Sequence, residues 1–350
     1  MLGIVTITNG TDNFGNLLQN YAVQQILLEL GYESETIRNI SFKEYRRFGF
    51  YFLPKFATGF YKGVKSMKFM RFARKHIKYS KAIVTSKNKN LNALRDQYDK
   101  VICGSDQVWN PDYRGNQNWD FNLMQFARPE QKVAYAASFG LSKIPEQYDP
   151  LFKDSLQDYH SISVREIDAA NYIGALTNRK CTVVIDPTMM FGVDKWEKIA
   201  TPVRTLQGKK FVLKYVLGND TAEIGECLQQ VVDDNVVVVE LTNPNSCYYA
   251  SGPDEFLWLV QHAEYVITDS FHATAFSILF HTPFSVFEKQ DEYGGTFSRI
   301  STLLSQFNLD ERVYTGASET VSDKMDFTGA DEKLAYERNR AFDFLRQSLA

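Results

Sequence analysis

The sequence predicts an α/β protein made of two Rossmann-like domains facing a central cleft. Three observations predict it. The chain opens strand–loop–helix–strand, the start of a doubly wound sheet. A second run of alternating strands and helices begins near Trp196. Strands in both halves end in polar turns, and in doubly wound sheets ligands bind outside those strand ends. A length of 350 residues suits two domains. The expected division is an N-terminal domain over 1–175, a C-terminal domain over 176–330 and a closing helix over 331–350.

Each element has a local reason. Residues 2–7 are a buried strand, followed by a polar, Gly-containing loop over 8–16. Residues 17–30 carry Leu18, Ala22, Ile26 and Leu30 on one helical stripe, and Gly31 stops the helix. Residues 34–37 form the second strand and 67–77 read as helical. Strands follow at 98–103, 132–140 and 161–166, with helices at 145–159 and 167–173. A strand over 183–185 stops at Asp186-Pro187-Thr188. In the second half, strands at 210–216, 236–241 and 265–267 alternate with helices at 220–233, 252–263 and 273–280, the last ending near Pro283. Helices over 294–307 and 331–349 complete the chain.

Charge is unevenly distributed. The net charge is −3. Residues 43–95, however, hold fifteen Lys or Arg and one acid, Glu44, for a net +14, and the remainder carries −17. The basic window is interleaved with aromatics such as Phe48, Tyr51, Phe52 and Phe56. It reads either as a solvated basic insertion or as a contact for an anionic membrane surface. No nucleic-acid motif accompanies it, so nucleic acid is not an expected partner. No run of about 18 apolar residues predicts a membrane-spanning helix. The N-terminus reads as a strand, not a signal peptide. The expected location is the cytoplasm, with peripheral contact at the inner face of the cell membrane. Cys103, Cys181, Cys227 and Cys247 are widely spaced and form no C-x-x-C pair. Together with the lack of H-E-x-x-H, this implies no metal, and no cofactor is expected.

Candidate chemistry concentrates at strand ends: Asn13, Asn16, Ser105, Asp106, Gln107, Ser138, Arg165, Glu166, Asp186, Asp269, Ser270 and His272. The sharpest stretch is residues 264–284. There a short strand exits through Thr268-Asp269-Ser270 into a helix, with His272 in or just before its first turn. Unpaired N–H groups and the positive dipole end favour an anion there. Arg165, with Glu166 adjacent, and Arg299 read either as structural salt-bridge partners or as anion-binding candidates, because a guanidinium captures carboxylate or phosphate through paired donors. Phosphate-loop and G-x-S-x-G patterns are missing, which argues against a P-loop NTPase, a nicotinamide dehydrogenase and a nucleophile elbow.

Taken in order, Asn13-Phe14-Gly15-Asn16-Leu17-Leu18-Gln19-Asn20-Tyr21-Ala22, Gly104-Ser105-Asp106-Gln107-Val108-Trp109-Asn110, Tyr135-Ala136-Ala137-Ser138-Phe139-Gly140, Ser163-Val164-Arg165-Glu166, Asp186-Pro187-Thr188 and Thr268-Asp269-Ser270-Phe271-His272-Ala273 resemble the motifs of the polysaccharide pyruvyl transferase family. The resemblance implies a GT-B-like fold. It also implies transfer of a pyruvyl group from phosphoenolpyruvate to two hydroxyls of a sugar, as a cyclic ketal. Residue by residue, it places the family's catalytic histidine at His272 and its phosphoenolpyruvate-binding arginine at Arg165.

This chemistry needs an acid, a base and an anion site. His272 suits an acid or a phosphate stabiliser, and Asp106 or Asp269 the base, with helix capping as an equal reading of Asp269. Arg165, Arg299 and Ser270 suit phosphoenolpyruvate. Asn13, Asn16, Ser105 and Gln107 suit the acceptor, a sugar or lipid-linked oligosaccharide. Two other readings compete: a GT-B glycosyltransferase using a nucleotide sugar, and a non-catalytic glycan- or membrane-binding protein.

Overall fold

The computed structural model describes residues 1–8, 12–40, 59–85, 91–114, 118–289, 297–316, 321 and 325–350. The chain divides into two compact units. The first comprises Met1–Leu53, Arg74–Met190 and Glu337–Ala350; the second comprises Pro54–Ala73 and Phe191–Tyr336. Two of the boundaries, after Ala73 and after Tyr336, fall inside helices, α2 (Phe60–His76) and α9 (Thr328–Leu349).

In the first unit the strands are β1 (Leu2–Val5), β2 (Ser34–Ile40), β3 (Tyr79–Thr85), β4 (Lys100–Cys103), β5 (Lys132–Ala137), β6 (Ser161–Val164) and β7 (Thr182–Val183). They form a parallel sheet in the order β3-β2-β1-β4-β5-β6-β7. Helices α1 (Phe14–Glu29), α3 (Asp149–Leu156) and α4 (Ile167–Thr177) lie among its connections. Strands β1 and β5 are buried at every position, as expected where helices cover both faces of a parallel sheet. Asn13 starts α1 by accepting the Asn16 N–H at 3.2 Å, and Gly31, at φ +88°, follows its end. β7 pairs with β6, so the chain through Met190 packs with this sheet, past residue 175 where sequence placed the domain boundary.

The second unit holds β8 (Phe211–Tyr215), β9 (Val237–Glu240), β10 (Tyr265–Thr268) and β11 (Phe284–Val286). The sheet is again parallel, in the order β11-β10-β8-β9. Helices α5 (Ala222–Val231), α6 (Pro253–His262), α7 (Phe271–Phe280) and α8 (Ser298–Phe307) connect and flank it. α7 ends on His281 in the left-handed region, just before Thr282-Pro283.

Two strands go beyond the sequence expectation. β3 lies inside the basic window, where Lys and Arg conceal a strand that pairs with β2. β11 has only three residues, too few for a periodic signal. Part of the basic window, residues 43–58 and 86–90, lies outside the described residues, as do residues 294–296 at the expected start of α8. Among the described residues no helix is long and apolar enough to cross a membrane.

The core of the first unit centres on aromatics. Phe152 is fully buried, with Phe139 at 4.9 Å and Trp119 at 5.6 Å between ring centroids, both edge-on. Phe152→Ala removes this shared partner and is expected to lower stability by about 3–5 kcal/mol. Chemical denaturation measures it, and a loss below about 1 kcal/mol would contradict the packing described.

Candidate active site

In both sheets the strand order reverses about a central strand. In the first unit β1 is flanked by β2 and β4, and the reversal lies between β1 and β4. In the second it lies between β8 and β10. Crevices outside the carboxyl ends at such reversals are where doubly wound sheets bind ligands. The residues singled out by sequence fall at these two places.

At the first, Thr6 Oγ1 donates to the Ser105 carbonyl at 3.1 Å and accepts from Gln19 Nε2 at 2.9 Å. These bonds tie the exits of β1 and β4 to α1. Ser105 Oγ donates to Asp186 Oδ2 at 2.8 Å, and Arg165 Nη1 donates to the same oxygen at 2.6 Å. Asp186 Oδ1 accepts from the Thr188 N–H at 2.9 Å and its hydroxyl at 2.7 Å. The Asp186 and Arg165 side chains are 0% and 1% exposed. One buried carboxylate therefore joins three of the six motif segments. Sequence placed Asp186 among the strand-end residues without giving it this role, because its partners come from separate strands.

Asp106 follows β4 in a left-handed conformation, φ +85°, which is uncommon for a residue with a Cβ. Its Oδ1 accepts the Gln107 N–H at 2.8 Å and lies 3.7 Å from Arg165 Nη2. Its Oδ2 is buried and has no hydrogen-bond partner among the described residues. Next to it, Ala136 sits at φ +51° where the β5–β6 register shifts, and Asp106 bridges to Ala137. Glu166 Oε1 accepts from Ser138 Oγ and from the N–H groups of Phe139 and Gly140, at 2.8, 2.9 and 3.2 Å. Gln107 accepts from Asn110 Nδ2 at 2.8 Å and packs against Gly140. Asn13 and Asn16 lie at the start of α1, engaged with each other in its cap.

At the second crevice, Thr268 Oγ1 donates to the Tyr215 carbonyl at 2.6 Å and accepts the Ser270 N–H at 3.0 Å. Asp269 accepts the Leu217 N–H on one oxygen and the Gly218 N–H on the other, both at 2.7 Å. Asp269 therefore does not cap α7, whose N-cap is Ser270; it latches the loop leaving β8. Burial raises its pKa, against the lowering pull of the two N–H donors and Lys289. His272 is the second residue of α7, 7% exposed, with its ring edge-on to Phe271 at 5.3 Å. The Arg299 guanidinium lies 5.7 Å from the Phe271 ring centroid. Asp269, Ser270, His272 and Arg299 thus gather at the start of one helix.

Sequence missed Lys214, an ammonium buried near the end of β8. It binds Asp220 at 2.7 Å and Glu240 at 2.8 Å. With Asp269 it fixes both ends of the 217–220 loop. Among the described residues no cluster of three or more His, Cys, Asp or Glu could hold a metal ion.

Two measurements follow from this geometry. Gly140 has φ +69°, and a Cβ there would lie 2.6 Å from Gln107 Cδ. Gly140→Ala is expected to lower stability by about 2 kcal/mol, and an unchanged Tm would contradict the tight contact. The Lys214 hydrogen bond holds the Glu240 carboxyl below its ordinary 4.5. Burial acts against the Lys214 charge, but its two carboxylates hold it above 10.5. Glu240 thus contributes stability that is present above pH 4.5 and lost as pH falls through its depressed folded value. Lys214 contributes stability that is present below pH 10.5 and lost as pH rises through its raised one. Glu240→Gln should flatten the acid limb of the Tm–pH profile, and parallel acid limbs would contradict the pairing.

Comparison with known proteins places this geometry. The polysaccharide pyruvyl transferase family matches residues 13–289. No curated protein sequence matches the chain. The UDP-GlcNAc 2-epimerase of Neisseria meningitidis, solved with UDP-GlcNAc bound, is similar in structure, with a TM-score of 0.52. Identity is 11%, over 100% of this chain and 99% of that one. The UDP-GlcNAc 2-epimerase of Methanocaldococcus jannaschii gives a TM-score of 0.47 at 11% identity, over 97% of this chain and 91% of that one. The Neisseria likeness, with the two parallel sheets, makes the fold GT-B-like. With the family match spanning most of its length, the chain belongs to the polysaccharide pyruvyl transferase family.

Proposed function

We propose that the protein transfers the pyruvyl group of phosphoenolpyruvate onto two hydroxyls of one sugar in a surface polysaccharide or its lipid-linked precursor. The observation that carries this reading is His272 in the first turn of α7, with Arg299 against the neighbouring Phe271 ring. The start of α7 offers N–H groups and a positive dipole end to a phosphate or carboxylate, and Arg299 adds a fixed cation. Phosphoenolpyruvate carries both anions. The family resemblance assigns Arg165 to it as well.

In the proposed reaction, C3 of phosphoenolpyruvate takes up a proton and one sugar hydroxyl adds to C2. The C2–O bond to phosphate breaks, and inorganic phosphate leaves. A second hydroxyl of the same sugar then adds to C2 and loses its proton, closing the ketal. His272 supplies or stabilises the proton on the phosphate side. Of the two carboxylates considered as base, Asp106 is the better placed. Asp269 uses both oxygens on backbone donors, whereas Asp106 keeps Oδ2 without a partner among the described residues. Its left-handed backbone adds support, since such strain clusters at functional sites. Asn13, Asn16, Ser105 and Gln107 are proposed to meet the acceptor. The basic segment is proposed to meet an anionic membrane, at the cytoplasmic face.

Phosphate release from phosphoenolpyruvate, with acceptor glycan present, tests the reading. His272→Ala is expected to abolish release. Asp106→Asn should lower kcat by about 10²–10⁴-fold with little change in KM for phosphoenolpyruvate. Strict dependence on a nucleotide sugar would favour the glycosyltransferase reading. Full glycan modification in cells carrying His272→Ala would favour a binding protein.

A further inference from the structure

Helix α2 carries apolar side chains on two opposite faces. Phe69 and Phe72 are buried, and that side of the helix is held within the second unit. Lys65 lies over the Tyr249 ring at 4.6 Å, and Lys68 pairs with Glu255 at 2.6 Å. Helical spacing places Phe60, Val64, Met67 and Arg71, at i, i+4, i+7 and i+11, along the other side. Phe60 is 70% exposed and Met67 42%, with Val64 partly exposed between them. A single exposed apolar residue needs no explanation. An aligned set on a helix whose opposite face is already packed does, because a surface helix ordinarily keeps one apolar face and turns polar residues outward.

The surroundings of this stripe are basic. α2 contains six Lys or Arg and no Asp or Glu. The window over 43–95 carries +14, and the pairings of Lys68, Arg71 and Lys78 with Glu255, Asp254 and Glu33 leave its sign unchanged. Apolar side chains flanked by long cationic stems suit the interface of a bilayer. The apolar groups enter the boundary between headgroups and acyl chains, and Lys and Arg reach the phosphates. A second copy of the chain suits the face poorly, since it would bring the same positive charge against itself. We infer that the outer face of α2 is a membrane-docking surface. Phe60, Val64 and Met67 enter an anionic bilayer at its headgroup boundary, and the helix lies in the plane of the membrane. This rests on the membrane contact proposed above for the basic segment and narrows it to three side chains; it does not depend on pyruvyl transfer.

Flotation of the full chain with vesicles of phosphatidylglycerol and phosphatidylcholine in equal parts, at low salt, tests this. The protein is expected to float with these vesicles and far less with phosphatidylcholine alone. The combined change Phe60→Ser and Met67→Ser should lower partitioning by about tenfold or more and leave Tm unchanged, because both side chains are exposed. Tyr336→Ser, which removes a side chain 61% exposed on α9, should keep it. Phe60→Trp should give emission that brominated acyl chains quench beyond the level seen without the change. Failure of the unchanged protein to float overturns this inference together with the broader membrane contact. Undiminished flotation of the double variant, or a Phe60→Trp indole that escapes quenching, overturns the inference and leaves the broader contact standing. A dimer in solution that dissociates on the double change would identify a second copy as the occupant and overturn it as well. Phosphate release from phosphoenolpyruvate, measured without vesicles, bears on the donor reading alone.

Discussion

The buried carboxylate of Asp186 holds the first unit's strand exits in register with one another. It accepts from Ser105 after β4, from Arg165 after β6 and from Thr188 in its own turn. A buried ion pair is weak evidence of stability, because desolvation offsets most of its attraction. Its value here is geometric. Removing one partner would leave an uncompensated charge, at about 3–5 kcal/mol, so the three exits hold their arrangement together. Arg165 is thereby held with Nη2 toward Asp106, whose own backbone is strained. Strain of this kind persists only where the surroundings over-determine it, and the Asp186 network supplies that restraint.

The same device recurs. Glu166 gathers Ser138, Phe139 and Gly140; Asp269 gathers Leu217 and Gly218. In each case a carboxylate at one strand exit fixes the loop leaving a neighbouring strand. Loop backbone that would otherwise need water for its N–H groups is satisfied from within, so the exits can be buried and rigid. Rigid exits suit a reaction that adds two hydroxyls to one carbon in succession, since misplacement by about 1 Å is expensive in rate.

Much of this was legible in sequence. Strand and helix alternation gave the two parallel sheets, because strands buried on both faces read as continuous apolar runs. Thr268-Asp269-Ser270 announced the start of α7, and His272 lies in its first turn. What could not be read was pairing at a distance. Asp269 looked like a base or a helix cap, because its partners lie about fifty residues upstream. Arg165 read as an anion receptor or as a salt-bridge partner of the adjacent Glu166, and only the fold brings Asp186 against it. The basic window read as a solvated insertion or a membrane contact. In the structure its charge is shared between two units, with a strand, β3, inside it. Strong local charge hid the β-prone run Ala82-Ile83-Val84-Thr85.

The central claim is that C2 of phosphoenolpyruvate becomes the ketal carbon of a glycan in a reaction that needs His272. Phosphoenolpyruvate labelled with carbon-13 at C2, incubated with the protein and acceptor glycan, tests it by NMR. The expected result is a labelled quaternary ketal carbon on the glycan, with one inorganic phosphate released for each, and neither with His272→Ala. Label remaining in phosphoenolpyruvate, or appearing only as free pyruvate while the glycan stays unlabelled, would contradict it.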